Sequence, residues 1–453
     1  MRRPVRAAAI LTAAAVLVGC TAPAQDAGPP PTGPARPGTD WPTYHGSADR
    51  AGRSADTPPV HRLSRAWGTR LDGRVYAGVL VAGGRLLAAT ENNTMYSLDP
   101  RTGRIQWKQH VTAPVPLSAL PCGNIDPLGI TGTPVYDPAG RRVYAVAESR
   151  DGGRVRHELV GFDAGSGRIV LRRAADAPDQ DPAPMQQRAA LLLHGAVVYV
   201  AYGGLDGDCG DYHGHVVGVP VDRNRPLVVY RVPVGREGGI WAASGPALRS
   251  DGSLLVAVGN GDSTTTYDGS DSVLALSVPA LRRTSFFAPR QWAGDNAADA
   301  DLGSMGPAPL RDGRVLAAGK NGEIYLLAPG DLGGIGGDVA RISGCRAFGG
   351  AAVDGPVVYL PCTSGLRQIR VGPGNRLAAG WRAGQATGSP VVGGGAVLAL
   401  DPDNGDLYAF DAVSGRVRAR RHVGAVTRFA TPTLWADYVF VGTTRGVVAS
   451  RVS

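Results

Sequence analysis

The sequence predicts an all-β protein, an eight-bladed β-propeller of four-stranded antiparallel blades, on three observations. One pattern of short apolar runs and Gly-rich turns returns roughly every 40 to 60 residues. Each copy has room for four strands, the unit of a propeller blade. The last copy is one strand short, and an orphan strand-like run precedes the first, as a closed ring requires.

The pattern is clearest near the two ends. Val81-Ala-Gly-Gly84 leads into Arg85–Thr90, then Met95-Tyr-Ser-Leu-Asp99, Thr102-Gly103 and Trp107. Val392–Asp401, Leu407-Tyr-Ala-Phe-Asp411 and Ser414-Gly415 repeat that order, and Val143–Ala147, His157–Asp163 and Ser166-Gly167 form a weaker copy. Eight units begin near Ala77, Thr133, Ala189, Gly245, Gly306, Gly349, Gly388 and Ala430. Their second strands are expected at Leu86–Ala89, Val143–Ala147, Val197–Ala201, Leu254–Val258, Val315–Ala318, Val357–Leu360, Val397–Leu400 and Tyr438–Val441. Period-2 alternation is weak in them because both faces of a blade are covered by its neighbours. The last unit ends at Val447–Val452 with room for three strands, so the orphan run Leu63–Leu71 is expected to complete it and close the ring.

The N-terminus reads differently. Arg2, Arg3 and Arg6 precede an apolar run, Ala7–Val18, which is too short for a stable membrane span and ends in Leu17-Val-Gly-Cys20. Residues 1–20 are expected to be a signal peptide whose end resembles a bacterial lipobox, with Cys20 carrying the lipid; an ordinary secretory signal with a chance cysteine is the alternative. Residues 21–39, dense in Pro, Ala and Gly, are expected to be a flexible linker, and residues 40–453 one domain. The expectation is a monomer anchored through its lipid to the extracytoplasmic face of a bacterial membrane.

A formal charge of +9 invites a nucleic-acid partner, but the basic residues are scattered arginines, with no recognition helix, zinc-finger spacing or RNA-binding strand signature. A basic surface facing an anionic bilayer or cell-wall polymer is the alternative use of that charge. Besides Cys20 there are four cysteines, an even number that implies two bridges in an oxidising compartment. Of the three connectivities, Cys122–Cys209 and Cys345–Cys362 is predicted: the first two sit in long Gly/Asp-rich loops, and the others close one repeat and end a strand of the next.

Asp99, Gly103 and Trp107 stand four residues apart, Asp163 and Gly167 keep the spacing with Leu171 in the Trp place, and Asp411 and Gly415 keep it with Ala419. Trp67 and Trp381 hold the outer-strand position without the preceding Asp and Gly. This resembles the tryptophan-docking motif of the PQQ-like (quinoprotein-type) propeller superfamily, over nearly all of residues 60–453. The resemblance implies eight blades and two possible kinds of function. One branch comprises dehydrogenases that bind pyrroloquinoline quinone (PQQ) over Ca²⁺ in the central funnel, many of them against two adjacent cysteines. The other includes BamB-type lipoproteins that help insert outer-membrane barrels and carry no cofactor. The present sequence has no Cys-Cys pair, so no cofactor is expected, with PQQ and Ca²⁺ as the alternative.

Loops before the inner strands are richer in polar and aromatic residues than turns require. They nominate Asn124, Asp126, Gln187, Arg188, Trp241, Asp301, Arg428 and Phe429 as funnel residues; the other use of such residues is to cap inner strands. Gly259–Asp271 has oxygen ligands but lacks the twelve-residue calcium-loop pattern. His213 and His215 share a strand face near carboxylates, without a third ligand, and a disulfide-pinned loop with surface histidines is expected instead. No nucleophile elbow, HExxH or phosphate loop occurs, and no catalytic residue or metal ligand is assigned. The expected function is binding or scaffolding of an envelope protein or ligand. The alternatives are a divergent quinoprotein dehydrogenase and a polysaccharide-processing enzyme using Asp126, Asp262, Asp268 and Asp271.

Overall fold

Short strands in antiparallel sequence neighbours build eight separate sheets, arranged as the blades of a propeller. The computed structural model describes residues 38–453; the expected signal peptide, Cys20 and the expected linker up to residue 37 lie outside the described residues. Blade 1 contains Leu80–Ala82, Arg85–Thr90, Thr94–Leu98 and Ile105–His110, running from the axis outwards. All eight second strands expected from sequence lie in the second strands of the blades. Two blades exceed the expected four strands. Met185–Gln186 adds to blade 3, and Gly334–Ile335 pairs in parallel with the outer strand of blade 4, Arg283–Ala288.

The strand pattern follows burial. In blade 4 the two middle strands, Leu254–Val258 and Ser272–Leu276, are buried at every position, because adjacent blades cover both faces. Outer strands such as Ile105–His110 are exposed or half-buried throughout. Leu63–Arg70 is the outer strand of blade 8, antiparallel to Gly446–Val452 from Leu63 opposite Val452 to Arg70 opposite Gly446. The chain thus fastens its beginning to its end.

The docking motif works across blade boundaries. Trp67 of blade 8 lies on the Asp99–Gly103 turn of blade 1, and its indole Nε1–H donates to the Pro100 carbonyl at 3.1 Å. Trp107 of blade 1 lies on the Asp163–Gly167 turn of blade 2 and donates to Ala164 at 3.0 Å; Trp381 of blade 6 does the same to Ala412 of blade 7, at 3.1 Å, over Gly415. Each Asp ties its own turn by accepting backbone N–H bonds, as Asp163 does from Ser166 at 2.8 Å. Each Gly has a φ of +72 to +76° and would bring a Cβ within 2.6 Å of the indole. The tryptophans without an Asp and Gly in their own repeat therefore serve the next blade. Between blades 2 and 3, where Leu171 stands in the Trp place, Arg173 donates instead to the carbonyls of Pro220, Asp222 and Arg225.

Residues 38–60, to which the sequence assigned no element, run along the axial edges of the inner strands. Val81, Tyr136, Leu248, Val353 and Val392, from blades 1, 2, 4, 6 and 7, donate their backbone N–H to Trp41, Pro42, Ala48, Ala51 and Gly52. These are edge groups that would otherwise face the channel unpaired. The segment also plugs the channel. Buried Arg50 donates to the carbonyls of Pro246 and Leu191 at 2.9 Å each, and His45 Nδ1–H donates to Ala351 at 3.1 Å. Burial pulls the His45 imidazole down to about 3, so the plug carries a neutral histidine at physiological pH.

Between blades 2 and 3, His157 is buried with Asp176 2.7 Å from Nδ1 and Glu148 3.2 Å from Nε2. Burial would lower its pKa, but the Glu148 and Asp176 carboxylates more than offset this and push it up to about 10.

Gly167→Ala should lower unfolding free energy by about 2 kcal/mol or more, since it combines a left-handed backbone with a clash against Trp107; chemical denaturation measures this. His157→Gln tests the buried charge. A raised histidine pKa gives stability that is complete below the unfolded value of 6.5 and fades as pH rises through about 10. The gap in thermal midpoint between parent and variant should therefore be widest at the acid end of that window and close towards the alkaline end. A constant gap would refute the assignment.

Candidate functional site

One face of the ring carries the connections between blades and the turns between second and third strands. Together they enclose a funnel of about 1070 Å³. Its rim is tied by the Cys122–Cys209 disulfide, which joins the loop after blade 1 to a turn of blade 3. Beneath that bridge Ile125, Leu128 and Leu205 pack with Tyr76, giving the rim an apolar support. The second bridge joins Cys345 to Cys362. At the bottom, Tyr44 of the plug lies with Tyr76, Arg188 and Phe429 around a small cavity of about 10 Å³.

The structure brings Asn124, Arg188, Trp241, Arg428 and Phe429 together in the funnel wall. Gln187, Asp126 and Asp301 do not line it. Gln186 takes the funnel position, while Gln187 turns into the core and donates to the Ala189 carbonyl. Asp126 accepts the Leu117 backbone N–H at 3.0 Å and faces an adjoining groove. Asp301 is fully buried, 2.8 Å from the Lys320 ammonium.

Lys320, Arg74, Tyr76, Phe348 and Arg445 were not nominated from sequence and also line the funnel. Lys320 lies on the tight turn Gly319–Gly322, which reads as an ordinary blade turn. Its ammonium sits 5.3 Å from the Trp241 ring centroid and bridges Asp299 at 2.5 Å and Asp301. Burial alone would lower the Lys320 pKa, but these two carboxylates raise it. Burial lifts Asp301 to about 6 against the pull of Lys320.

The arginines are held differently. Arg428 lies 4.2 Å over Phe348, and Arg188 lies 5.0 Å over Phe429 while donating to Gln186 at 3.0 Å. Phe348 and Phe429 each stand 6.3 Å from Trp241, so the platforms support one another. Each cation–π contact contributes about 0.5–2 kcal/mol, more where water is excluded. Among the described residues, Arg74, Arg188, Arg428 and Arg445 have no carboxylate within 4.0 Å. The wall therefore presents two guanidinium groups positioned on aromatic rings, Arg188 and Arg428, and two more, Arg74 and Arg445. None of them is in an ion pair, although Asp206, Asp208 and Asp299 also line the funnel.

The other candidates sit elsewhere. His215 is buried rather than at the surface as expected: Tyr202 stacks on it at 4.6 Å, and Nδ1 meets the His213 carbonyl at 2.8 Å. His213 Nε2 meets the Gly235 carbonyl at 2.9 Å. In the Gly259–Asp271 loop, Asp268 accepts from Ser270, and buried Asp271 accepts the Leu302 N–H at 2.7 Å. Asp262, Asp268, Asp271 and Asp126 do not converge on the funnel. Burial and the nearby Asp295 carboxyl hold Asp271 well above the usual carboxylate range. No three His, Cys, Asp or Glu side chains gather in a metal-holding group among the described residues.

A family profile described as "Outer membrane protein assembly factor BamB" matches residues 61–224. No curated protein matches the chain by sequence. Among solved structures, the europium-containing methanol dehydrogenase is similar over 91% of both chains, at 14% identity and a TM-score of 0.69. The quinohemoprotein alcohol dehydrogenase of Comamonas testosteroni is similar over 91% of this chain and 80% of its own, at 15% identity and a TM-score of 0.66. BamB from Moraxella catarrhalis is similar over 86% of this chain and all of its own, at 15% identity and a TM-score of 0.59. With eight blades and these likenesses, the chain has the eight-bladed β-propeller fold of these dehydrogenases and BamB, and its residues 61–224 are similar to the BamB family.

Proposed function

We propose that this protein is a binding propeller of the bacterial cell envelope, held at the extracytoplasmic face of a membrane by a lipid on Cys20, whose funnel receives an anionic ligand. The observation that carries the proposal is the set of four funnel arginines without carboxylate partners. A guanidinium held on an aromatic ring has already lost part of its freedom and hydration, so an incoming carboxylate or phosphate meets a preorganised, bidentate donor. The ligand is carried by an envelope protein or free in the envelope. The two disulfides, the BamB profile match and the Leu-Val-Gly-Cys20 sequence support an extracytoplasmic place.

A second proposal, a PQQ- and Ca²⁺-dependent dehydrogenase, is favoured by the likeness to quinoprotein enzymes and by the aromatic, cationic wall, which suits an acidic quinone. The donor set does not suit the metal, since, among the described residues, Asp206 is the one carboxylate of the lining left without a side-chain partner. Asp299 is spent on Lys320, Asp208 accepts from the Tyr212 hydroxyl, and the Asn260 amide donates to Glu237. There is no adjacent cysteine pair. No chemical step is assigned through that group.

Citrate, used as a compact polyanion, should raise the thermal midpoint of the full-length protein by mass action. The effect should weaken with added NaCl and disappear in the Arg188→Gln/Arg428→Gln variant. No shift at millimolar citrate would remove the anion-binding proposal. A saturable shift with PQQ that requires Ca²⁺ would move the assignment to the dehydrogenase. Cys20→Ala should abolish incorporation of labelled palmitate and release the protein from membranes, and membrane retention without the cysteine would refute the anchor.

A further inference from the structure

The funnel has two side arms. Over blades 8 and 1 lies a groove of about 320 Å³ that shares Arg74, Thr444 and Arg445 with the funnel wall. Over blades 6 and 7 lies one of about 400 Å³ that shares Phe348, Val426 and Arg428 with it. The arms meet the funnel at separate places on its circumference, and unpaired arginines stand at both junctions. A compact anion fills only the centre of such a site, whereas a chain can cross it.

The arms differ from the funnel in chemistry. The arm over blades 6 and 7 is lined by Thr363, Thr387, Pro361 and Pro402, and its charges are Arg428 and Asp403. In the other arm the acids are already engaged: Asp72 accepts the hydroxyls of Thr90 and Thr94, and Asp126 accepts the Leu117 N–H. Glu91 accepts from Gly129 and Thr131, and burial keeps it protonated up to about 8. Amide and hydroxyl groups (Asn124, Thr363, Thr387, Thr444) are spread along the whole path. Groups that both donate and accept suit sugar hydroxyls. A peptide occupant would use a free strand edge or apolar side-chain pockets. Here the inner strand edges face the plug, and the lining offers few apolar positions outside the aromatic platforms.

We infer that the funnel and its two arms form one continuous binding path for an acidic glycan, a sugar chain whose carboxylate or phosphate groups meet the arginines while its hydroxyls occupy the polar arms. This rests on the proposed anion-binding function and adds to it the size and class of the ligand.

Calorimetry on the full-length protein tests it with galacturonate, hexagalacturonate, neutral maltohexaose and hexaglutamate. Hexagalacturonate should bind at least ~10-fold more tightly than the monomer, and maltohexaose should not bind. Thr363→Trp, which fills the arm over blades 6 and 7 from an exposed turn, should weaken the hexamer at least ~5-fold and leave the monomer unchanged. Arg188→Gln should weaken both. A phosphate-bearing hexasaccharide that outcompetes hexagalacturonate supports the same path and assigns the charge to phosphate. Equal affinity for monomer and hexamer overturns the path and leaves a compact anion site. Tighter binding of hexaglutamate overturns the glycan in favour of an acidic peptide. Binding of none of the probes removes both the path and the anion-binding function. Unchanged thermal midpoints of the variants show that they fold.

Discussion

A blade cannot bury both of its faces alone, and the rest of this structure depends on that constraint. Each blade presents two apolar faces, so a linear stack would leave one exposed at each end, and only closure covers all of them. Here the bond between the two ends is the pairing of Leu63–Arg70 with Gly446–Val452. Closure makes the first and last parts of the folded chain neighbours. It also places residues 38–60, which precede the closing strand, at the axis, where the inner strands have no further strand to pair with. The plug is thus the answer to the inner edges, which closing the ring leaves unpaired around the axis.

Why the strands could be read from the sequence and the plug could not follows from the same geometry. A second strand such as Leu254–Val258 is apolar along its length, because both faces are covered, and it stands between glycines. The plug has no period. Its contacts reach one inner strand after another, and the residues that matter, His45 and Arg50, are polar side chains that satisfy carbonyls more than a hundred residues away. The docking motif was legible as a spacing within one repeat, yet the contact it encodes joins two. Trp67 and Trp381 look like incomplete copies until the ring shows that their Asp and Gly lie in the following blade.

The funnel was legible only in part. Loops rich in Trp, Phe and Arg marked Arg188, Trp241, Arg428 and Phe429, because large aromatics at loop positions have few structural uses. Lys320 and Arg445 left no such mark, since each sits in a tight turn where a charged residue is ordinary. Between Gln186 and Gln187 a sequence has no way to choose, because successive residues of an extended segment point to opposite sides. Asp301 was nominated as a wall residue, but its carboxyl lies behind the wall, under Lys320, where it supports a cation instead of offering a charge.

That arrangement separates the fold from its use. Fold alone links the chain equally to enzymes and to BamB, and function has to be argued from the site. In the wall, three of the cations are held either by acids or by a ring, and Arg74 and Arg445 by neither. Lys320 has acids, so its charge is neutralised locally and it orders the loop that carries Asp299 and Asp301. Arg188 and Arg428 have rings, which fix a guanidinium without cancelling its charge. An acid in the ring's place would compete with any anionic ligand. A solvated arginine would have to be ordered at the moment of binding, and that loss of side-chain entropy would come off the affinity. Aromatic support is the arrangement that leaves the field of the funnel both positive and preorganised.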